Sequence, residues 1–484
     1  MAEIAAPVTF GTRARLWVPR QYQETAVALG VSQACLGLLL DPGLGKTTII
    51  YAIFKILKDL GYVKRMLVVA PLKVTKNVWP LQKFEWEQFK DLTVTVLHGP
   101  KKDRLLEEQT DIHVLNPDGL EWFTNSQFQT VEGNKKKRLK TDGARLKWIQ
   151  DNYQMLVVDE STKFKHASSN RFKVMKELIP RFRRRYILTG TISPNGLHDL
   201  FGQIYILDEG ASLGQYITHY RNKYFTPDPR IEGVWYPVEG AAEKIAERIA
   251  PLTLRMRRED HLTMPKLIFQ DIWVDLPPAA MAEYKRMEDD LVALVQGGHV
   301  IAANAAVATG KCRQIANGAV YTGAPGGAYA VFHKEKLDAL QDLIEQMSGQ
   351  PLLVAYAWKF DLEMIQKELK APAIGQGSDR HDATIISQFN SGTLPTLLGH
   401  PETMALGLNL QGSCNHICWY GVPWNLEHYL QTIDRIYRQG QRAETVIVHR
   451  ILARGTLDER MLQVLDHKGA DMTSFMSLLQ NLRA

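Results

Sequence analysis

The stretch LLLDPGLGKTT (38–48) decides how this chain folds. Its leucines close an apolar run, ACLGLLL (34–40), of the length of one buried strand. Pro42, Gly43 and Gly45 break the run, and KTTIIYAIFKILKDL (46–60) then carries apolar residues at helical spacing. A strand, a glycine-rich turn and a helix opening on Lys46 and Thr47 make a cradle for a nucleoside triphosphate. Backbone N–H groups and the helix N-terminus face the phosphates, Lys46 reaches the β/γ oxygens, and the Thr47 hydroxyl holds Mg²⁺. One departure from the general pattern is Leu40, which stands where that pattern has a glycine.

Outward from this stretch, short apolar runs alternate with helical patterns. RMLVVAP (65–71), TVTVLHG (93–99), DIHVLN (111–116), QMLVVDE (154–160) and RYILTGT (185–191) read as strands of a mostly parallel sheet. PLLVAYAW (351–358), PTLLGHP (395–401), HICWYGVPW (416–424) and TVIVHRILA (445–453) repeat the theme. The count predicts two α/β domains, residues 1–250 and 346–484. Residues 251–345 read as a linker with helical protrusions, entered near PLTLRMRRED (251–260). NSQFQTVEGNKKKRLKTDGARLK (125–147) is polar, basic and poor in apolar residues, as a surface insertion would be.

With 484 residues the chain is too long for one core, at about 150 residues per domain. Apolar runs stop well short of the ~18 residues of a membrane span, and MAEIAAPVTF lacks the pattern of a secretion signal. The formal charge of +6 permits a nucleic-acid partner without requiring one. Four cysteines fit a reducing compartment. Cys414 and Cys418 flank His416 in CNHIC, but no second cysteine pair accompanies them, so buried small residues are the better reading than a zinc site.

LVVDE ends a predicted strand with Asp159 and Glu160, adjacent carboxylates where the sheet runs out. Asp159 suits the Mg²⁺ water shell, and Glu160 suits orienting and deprotonating the attacking water. Charge that develops on the γ-phosphate still needs a cation. NLEHYL and QTIDRIYRQGQ (425–441) read as one helix, with Leu426, Leu430, Ile433 and Tyr437 as its buried stripe. Gln431, Arg435 and Arg438 form a second stripe, either a solvated face or the source of that cation.

In order, PRQYQ, DPGLGKT, APLKVTKNVW, DEST, LTGTISPNG, GLNL, PWN and QTIDRIYRQGQ resemble the motifs of superfamily 2 helicases, and among them the Swi/Snf-like DNA translocases. The likeness runs from about residue 18 to 465 and is nearest to compact members of bacteria and phages. It implies an α/β fold of two tandem RecA-like domains with parallel sheets plus helical protrusions. It implies ATP, read by Gln23, and Mg²⁺, with Gly43, Gly45, Lys46, Thr47, Thr48 and Asp159 at the nucleotide, Gly407 and Asn409 at the cleft, and Glu160, Gln431, Arg435 and Arg438 in hydrolysis. Lys73, Thr75, Thr189 and Thr191 would lie along or couple to DNA. The chain departs from the pattern at Thr162 of DEST, at Ile192, and at Met404 and Ala405 before GLNL.

KKKRLK, including Lys136 and Lys137, either tracks a phosphate backbone or is a solvated loop. RFRRR (181–185) reads as a flank of the strand that follows, and the resemblance makes RMRRED a structural brace. The expected function is an ATP-dependent translocase on DNA, with duplex as the favoured partner, no membrane, and the cytoplasm of a bacterial cell or phage-infected host as its place. A strand-separating DNA or RNA helicase is the first alternative. A nucleotide-gated nucleic-acid-binding protein is the second, disfavoured by the complete hydrolytic set.

Overall fold

Two parallel sheets account for the alternating apolar runs. The computed structural model describes residues 15–130, 137–229, 233–296, 302–323, 326–404 and 408–482. The first sheet is built from β1 (Cys35–Leu40), β2 (Met66–Val69), β3 (Val94–Val96), β4 (Ile112–Leu115), β5 (Met155–Asp159), β6 (Arg184–Thr189) and β7 (Thr253–Met256). Their spatial order is β7-β1-β6-β5-β2-β4-β3, with every pairing parallel. The second sheet holds β8 (Lys266–Val274), β9 (Leu352–Ala355), β10 (Thr396–Gly399), β11 (His416–Trp419) and β12 (Thr445–Ala453), in the order β8-β12-β11-β9-β10 and again parallel.

Central strands such as β1, β2 and β9 are apolar along their whole length, as strands covered on both faces are. In the second sheet, Val354, Cys418 and Ile451 belong to one core, shared with Leu337, Leu340, Phe360 and Ile365 of the helices Glu335–Gln346 and Lys359–Leu369. Their chain neighbours Leu353, Ile417, Trp419 and Leu452 join the other core, with Leu426, Tyr429 and Met461. Cys414, before β11, and Cys418, within it, are buried in different cores as small interior residues.

Each predicted run contains a strand, but β7 and β8 went unread because both lie in the segment 251–345 expected to be linker. That expectation is corrected: β7 is an edge of the first sheet and β8 an edge of the second. Lys266–Val274 is mostly half-exposed or exposed, and Thr253–Met256 is short with Thr253 and Arg255 in it, so neither shows a continuous apolar run. The chain divides into one unit of Met1–Ile192, Asp199–Met256 and Leu478–Ala484 and another of Ser193–His198 and Arg257–Ser477. Within the segment expected to hold helical protrusions, the second unit has the helices Pro278–Gln296 and Ala302–Asn317. Within the expected insertion, Gln127–Thr130 and Lys137–Lys140 pair as an antiparallel hairpin.

Candidate active site

At the end of β1 the chain turns through Gly43 (φ +91°) and Gly45 (φ +81°) into helix α2 (Lys46–Asp59). A side chain at Gly45 would be strained by the left-handed backbone and would meet Gln23 Nε2 at 2.8 Å. Gln23, near the start of α1 (Gln21–Ser32), accepts from the Arg20 N–H at 3.0 Å and donates to the Leu44 carbonyl at 3.3 Å. The Tyr22 hydroxyl donates to the same carbonyl at 3.3 Å. The residue expected to read adenine therefore also holds the loop. On the other side, Arg255 of β7 donates to Asp41 Oδ1 at 2.5 Å and to the Leu39 carbonyl at 3.0 Å.

Lys46 Nζ donates to the Leu40 carbonyl at 2.7 Å, so the ammonium lies back over its own loop. Thr47 is half-buried at the opening of α2. Thr48 is buried, and its hydroxyl accepts from Gln82 Nε2 at 3.2 Å. That places Thr48 against the protein interior, behind the loop.

Asp159 ends β5 and is buried. Its carboxylate accepts from the Trp79 indole N–H at 3.0 Å and from the Glu160 N–H at 3.0 Å. Burial raises its pKa, opposed by the Trp79 hydrogen bond and by the charge of Lys46. Glu160 adopts left-handed backbone angles (φ 50°, ψ 59°), uncommon for a residue with a side chain, and opens the short 3₁₀ turn Ser161–Phe164. Hydroxyl and carboxylate oxygens are the donors a hard cation such as Mg²⁺ prefers, so the residue set fits that ion.

The residues expected on the DNA side divide. Lys73 is half-buried on the helix Leu72–Asn77. Thr75 is fully buried, its hydroxyl back-bonding to the Ala70 and Pro71 carbonyls at 2.9 and 3.1 Å, so in this conformation it offers nothing to a ligand. Thr189 is buried as well; its hydroxyl donates to the Thr191 carbonyl at 2.9 Å and accepts the Thr191 N–H at 3.1 Å, closing the loop after β6 on itself. Thr191 is half-buried. Lys137 begins a hairpin strand, whereas Lys136 lies outside the described residues. Arg184 and Arg185 of RFRRR donate to the carbonyls of Val31 and Leu207, as a structural flank would.

In the second unit, the helix expected through residue 441 is shorter. Helix α4 (Leu426–Ile433) ends before both arginines. Asp434 is drawn to Arg258 at 2.5 Å, and Arg258 also donates to the Tyr437 carbonyl at 3.1 Å and lies 4.3 Å over the Tyr437 ring. Past Ile433 the backbone tightens to i→i+3 bonds, from the Arg435 N–H to Thr432 and from the Ile436 N–H to Ile433, and Gly440 (φ +90°) follows. Gln431 remains helical and buried, donating to Glu427 at 3.4 Å. Arg435 is buried, donating to the Gln431 carbonyl at 2.9 Å and the Leu408 carbonyl at 3.3 Å. Arg438 donates to Asn409 Oδ1. Its pKa is pushed down to about 10 by burial and by the charges of Arg435 and Arg258, against the pull of Asp434, and it stays a cation at neutral pH. Gly407 lies outside the described residues.

The family model for the SNF2-related domain matches residues 22–318. The chain belongs to the SNF2-related family. The helicase conserved C-terminal domain follows at residues 335–440. SNF2-related chains with this pair of domains are DNA-dependent ATPases of helicase superfamily 2 with two RecA-like lobes, and so is this one. Protein p41 of Acyrthosiphon pisum secondary endosymbiont phage 1 is 29% identical over 472 residues, covering 94% of this chain and 97% of that one. An ATP-dependent helicase of Mycoplasma pneumoniae is 26% identical over 93% of this chain but 41% of its own length. The mouse DNA annealing helicase and endonuclease ZRANB3 is 24% identical over 66% of this chain and 29% of its own. The chain thus spans under half of these two helicases. A Sulfolobus solfataricus SWI2/SNF2 ATPase core solved with dsDNA is 22% identical, with 98% of each chain covered and a TM-score of 0.43.

Trp79 and Gln82 are neighbours of these residues that the sequence reading passed over, whereas Arg255 belongs to RMRRED, expected as a structural brace. Trp79 stood within APLKVTKNVW, and only its tryptophan N–H, an obligatory donor when buried, could have marked it.

Proposed function

We propose that this protein is an ATP-driven motor that moves along duplex DNA, hydrolysing ATP at a cleft between its two RecA-like units. The observation that carries the reading is the loop of the first unit, where Gly43 and Gly45 turn the chain from β1 into α2 with Lys46 at its opening and Nζ over the loop at 2.7 Å from the Leu40 carbonyl. In this reading the Gly43–Gly45 loop and Lys46 bind the phosphates, and Gln23 selects adenine. Thr47 and Asp159 hold Mg²⁺, which when bound shields the β/γ oxygens. Thr48 supports the loop from behind. Glu160 takes a proton from the attacking water. Arg435 and Arg438 neutralise charge on the γ-phosphate, and Gln431 orients the segment that carries them; Gly407 and Asn409 flank it.

Lys73, Lys136, Lys137 and the loop of Thr189 and Thr191 meet the DNA backbone, with Thr75 fixing the turn that presents Lys73. Family membership supports DNA, and moving along a backbone requires alternating grips but no separation of base pairs. The test is the rate of ATP hydrolysis with no polymer, single-stranded DNA, duplex DNA and RNA. Duplex should stimulate at least as well as single strands. Stimulation by RNA alone, or by no polymer, would overturn the reading.

A further inference from the structure

Helix α3 (Leu200–Asp208) is apolar, aromatic or glycine from Leu200 to Leu207 except at Gln203, which is fully buried. A buried carboxamide is costly unless its donors and acceptor are all matched. Gln203 matches them by joining two separate segments. Its Oε1 accepts from Ser161 Oγ at 2.7 Å, and its Nε2 donates to the Ile192 carbonyl at 2.6 Å and the Asp199 carbonyl at 2.8 Å. Ser161 directly follows Glu160, and Ile192 directly follows Thr191.

The helix carrying Gln203 is seated directly on the same turn. A Cβ at Gly202 would lie 2.1 Å from the Phe164 carbonyl oxygen, so only glycine lets the helix backbone approach the turn Ser161–Phe164. Lys165 and Asp199 form an ion pair at 3.8 Å across the same contact. Leucine or methionine would fill the space of Gln203 without desolvating an amide, so packing alone does not call for it.

We infer that Gln203 is a positioning residue that ties the segment after Glu160 to the loop after Thr191, so that the state of the DNA-side loop reaches the water-activating carboxylate. The inference rests on the motor reading above. Movement of the Thr189–Ile192 loop on a DNA backbone pulls on the Ile192 carbonyl; the amide passes that displacement to Ser161, one peptide from Glu160. Gln203 touches neither nucleotide nor DNA, and its removal uncouples them without preventing either from binding.

Two variants break the link at different points. Gln203→Met keeps the volume and deletes both arms, whereas Ser161→Ala removes only the buried hydroxyl that donates to Gln203 Oε1. ATP turnover is measured for each with and without duplex DNA, together with duplex affinity, and for the double variant. The ratio of stimulated to unstimulated turnover should fall roughly three- to thirtyfold, the scale of coupling lost along such a link. Unstimulated turnover and duplex affinity should stay within about twofold, and the double variant should be no worse than Gln203→Met alone, since both act on one bond. If Gln203→Met fails to fold, Ser161→Ala decides. An unchanged ratio in Ser161→Ala, or parallel loss of stimulated and unstimulated turnover, overturns the inference. Absence of polymer stimulation in the unaltered protein overturns the motor reading itself and this inference with it.

Discussion

In the first unit, Lys46 and Asp159 sit at the ends of regular elements, one opening α2 and the other closing β5, and their partners are close by in the fold. In the second, Arg435 and Arg438 lie past the end of α4, where no helix ladder fixes them. They are held instead by the Leu408 carbonyl, by Asn409 and, through Asp434 and Tyr437, by Arg258. Lys46 and Asp159 are thus placed by the ends of a helix and a strand, with Arg255 bracing the loop through Asp41, whereas the arginines are placed mainly by side-chain bonds past a helix end. A part built on a strand and helix end resists movement; a part built on side-chain braces has a second arrangement within reach. The difference fits a division of labour in which the first unit holds nucleotide and the second responds to it.

The largest effects should separate roles within the first unit. Lys46→Ala and Glu160→Gln should each reduce turnover by about 10³-fold or more. Only Lys46→Ala should also weaken ATP, because it alone removes a ground-state phosphate contact. Equilibrium binding of labelled ATP distinguishes them, and equal loss of affinity in both would refute the assignment.

Next come the arginines. Arg435→Ala or Arg438→Ala should cut hydrolysis by roughly 10³-fold while ATP binding stays largely intact, as a missing finger would. Turnover surviving within about tenfold would make the segment an ordinary buried brace and erase the contrast between the units.

Arg258→Ala probes the brace without touching a proposed finger. It leaves Asp434 without its cation and should cost about 3 kcal/mol of stability, measured by denaturant unfolding. Lys46→Ala, at a site of local geometry, should leave stability almost unchanged, so similar losses in both would contradict the comparison. A smaller effect is expected of Trp79→Phe, which removes only the N–H to Asp159. The Mg²⁺ concentration for half-maximal turnover should rise about tenfold, the scale of one hydrogen bond to a carboxylate. An unchanged Mg²⁺ requirement would make Trp79 a packing residue.

The same contrast explains what the sequence made legible. Strands buried on both faces announce themselves as unbroken apolar runs, and the glycine turn before Lys46 is a local pattern, so the sheets and the phosphate loop could be read directly. β8 is mostly half-exposed or exposed and β7 is short and interrupted by Arg255, so neither carried such a signal. Helix α4 was read too long because its spacing continues to Arg438, while past Ile433 the backbone passes to i→i+3 bonds at Arg435 and Ile436, which the apolar spacing does not reveal. Thr75 and Thr189 were expected to face DNA, yet both hydroxyls bond to backbone a few residues away. A threonine near a turn can satisfy itself locally, and spacing alone does not reveal which option it takes.

Displacement of a third strand from a triplex, measured beside opening of a plain forked duplex with ATP present, tests the central claim most directly. A motor that tracks intact duplex should release the third strand and leave the fork closed, and both this activity and ATP hydrolysis should vanish together in Arg435→Ala. Robust fork opening with no triplex displacement would contradict the translocase reading and replace it with that of a strand-separating helicase.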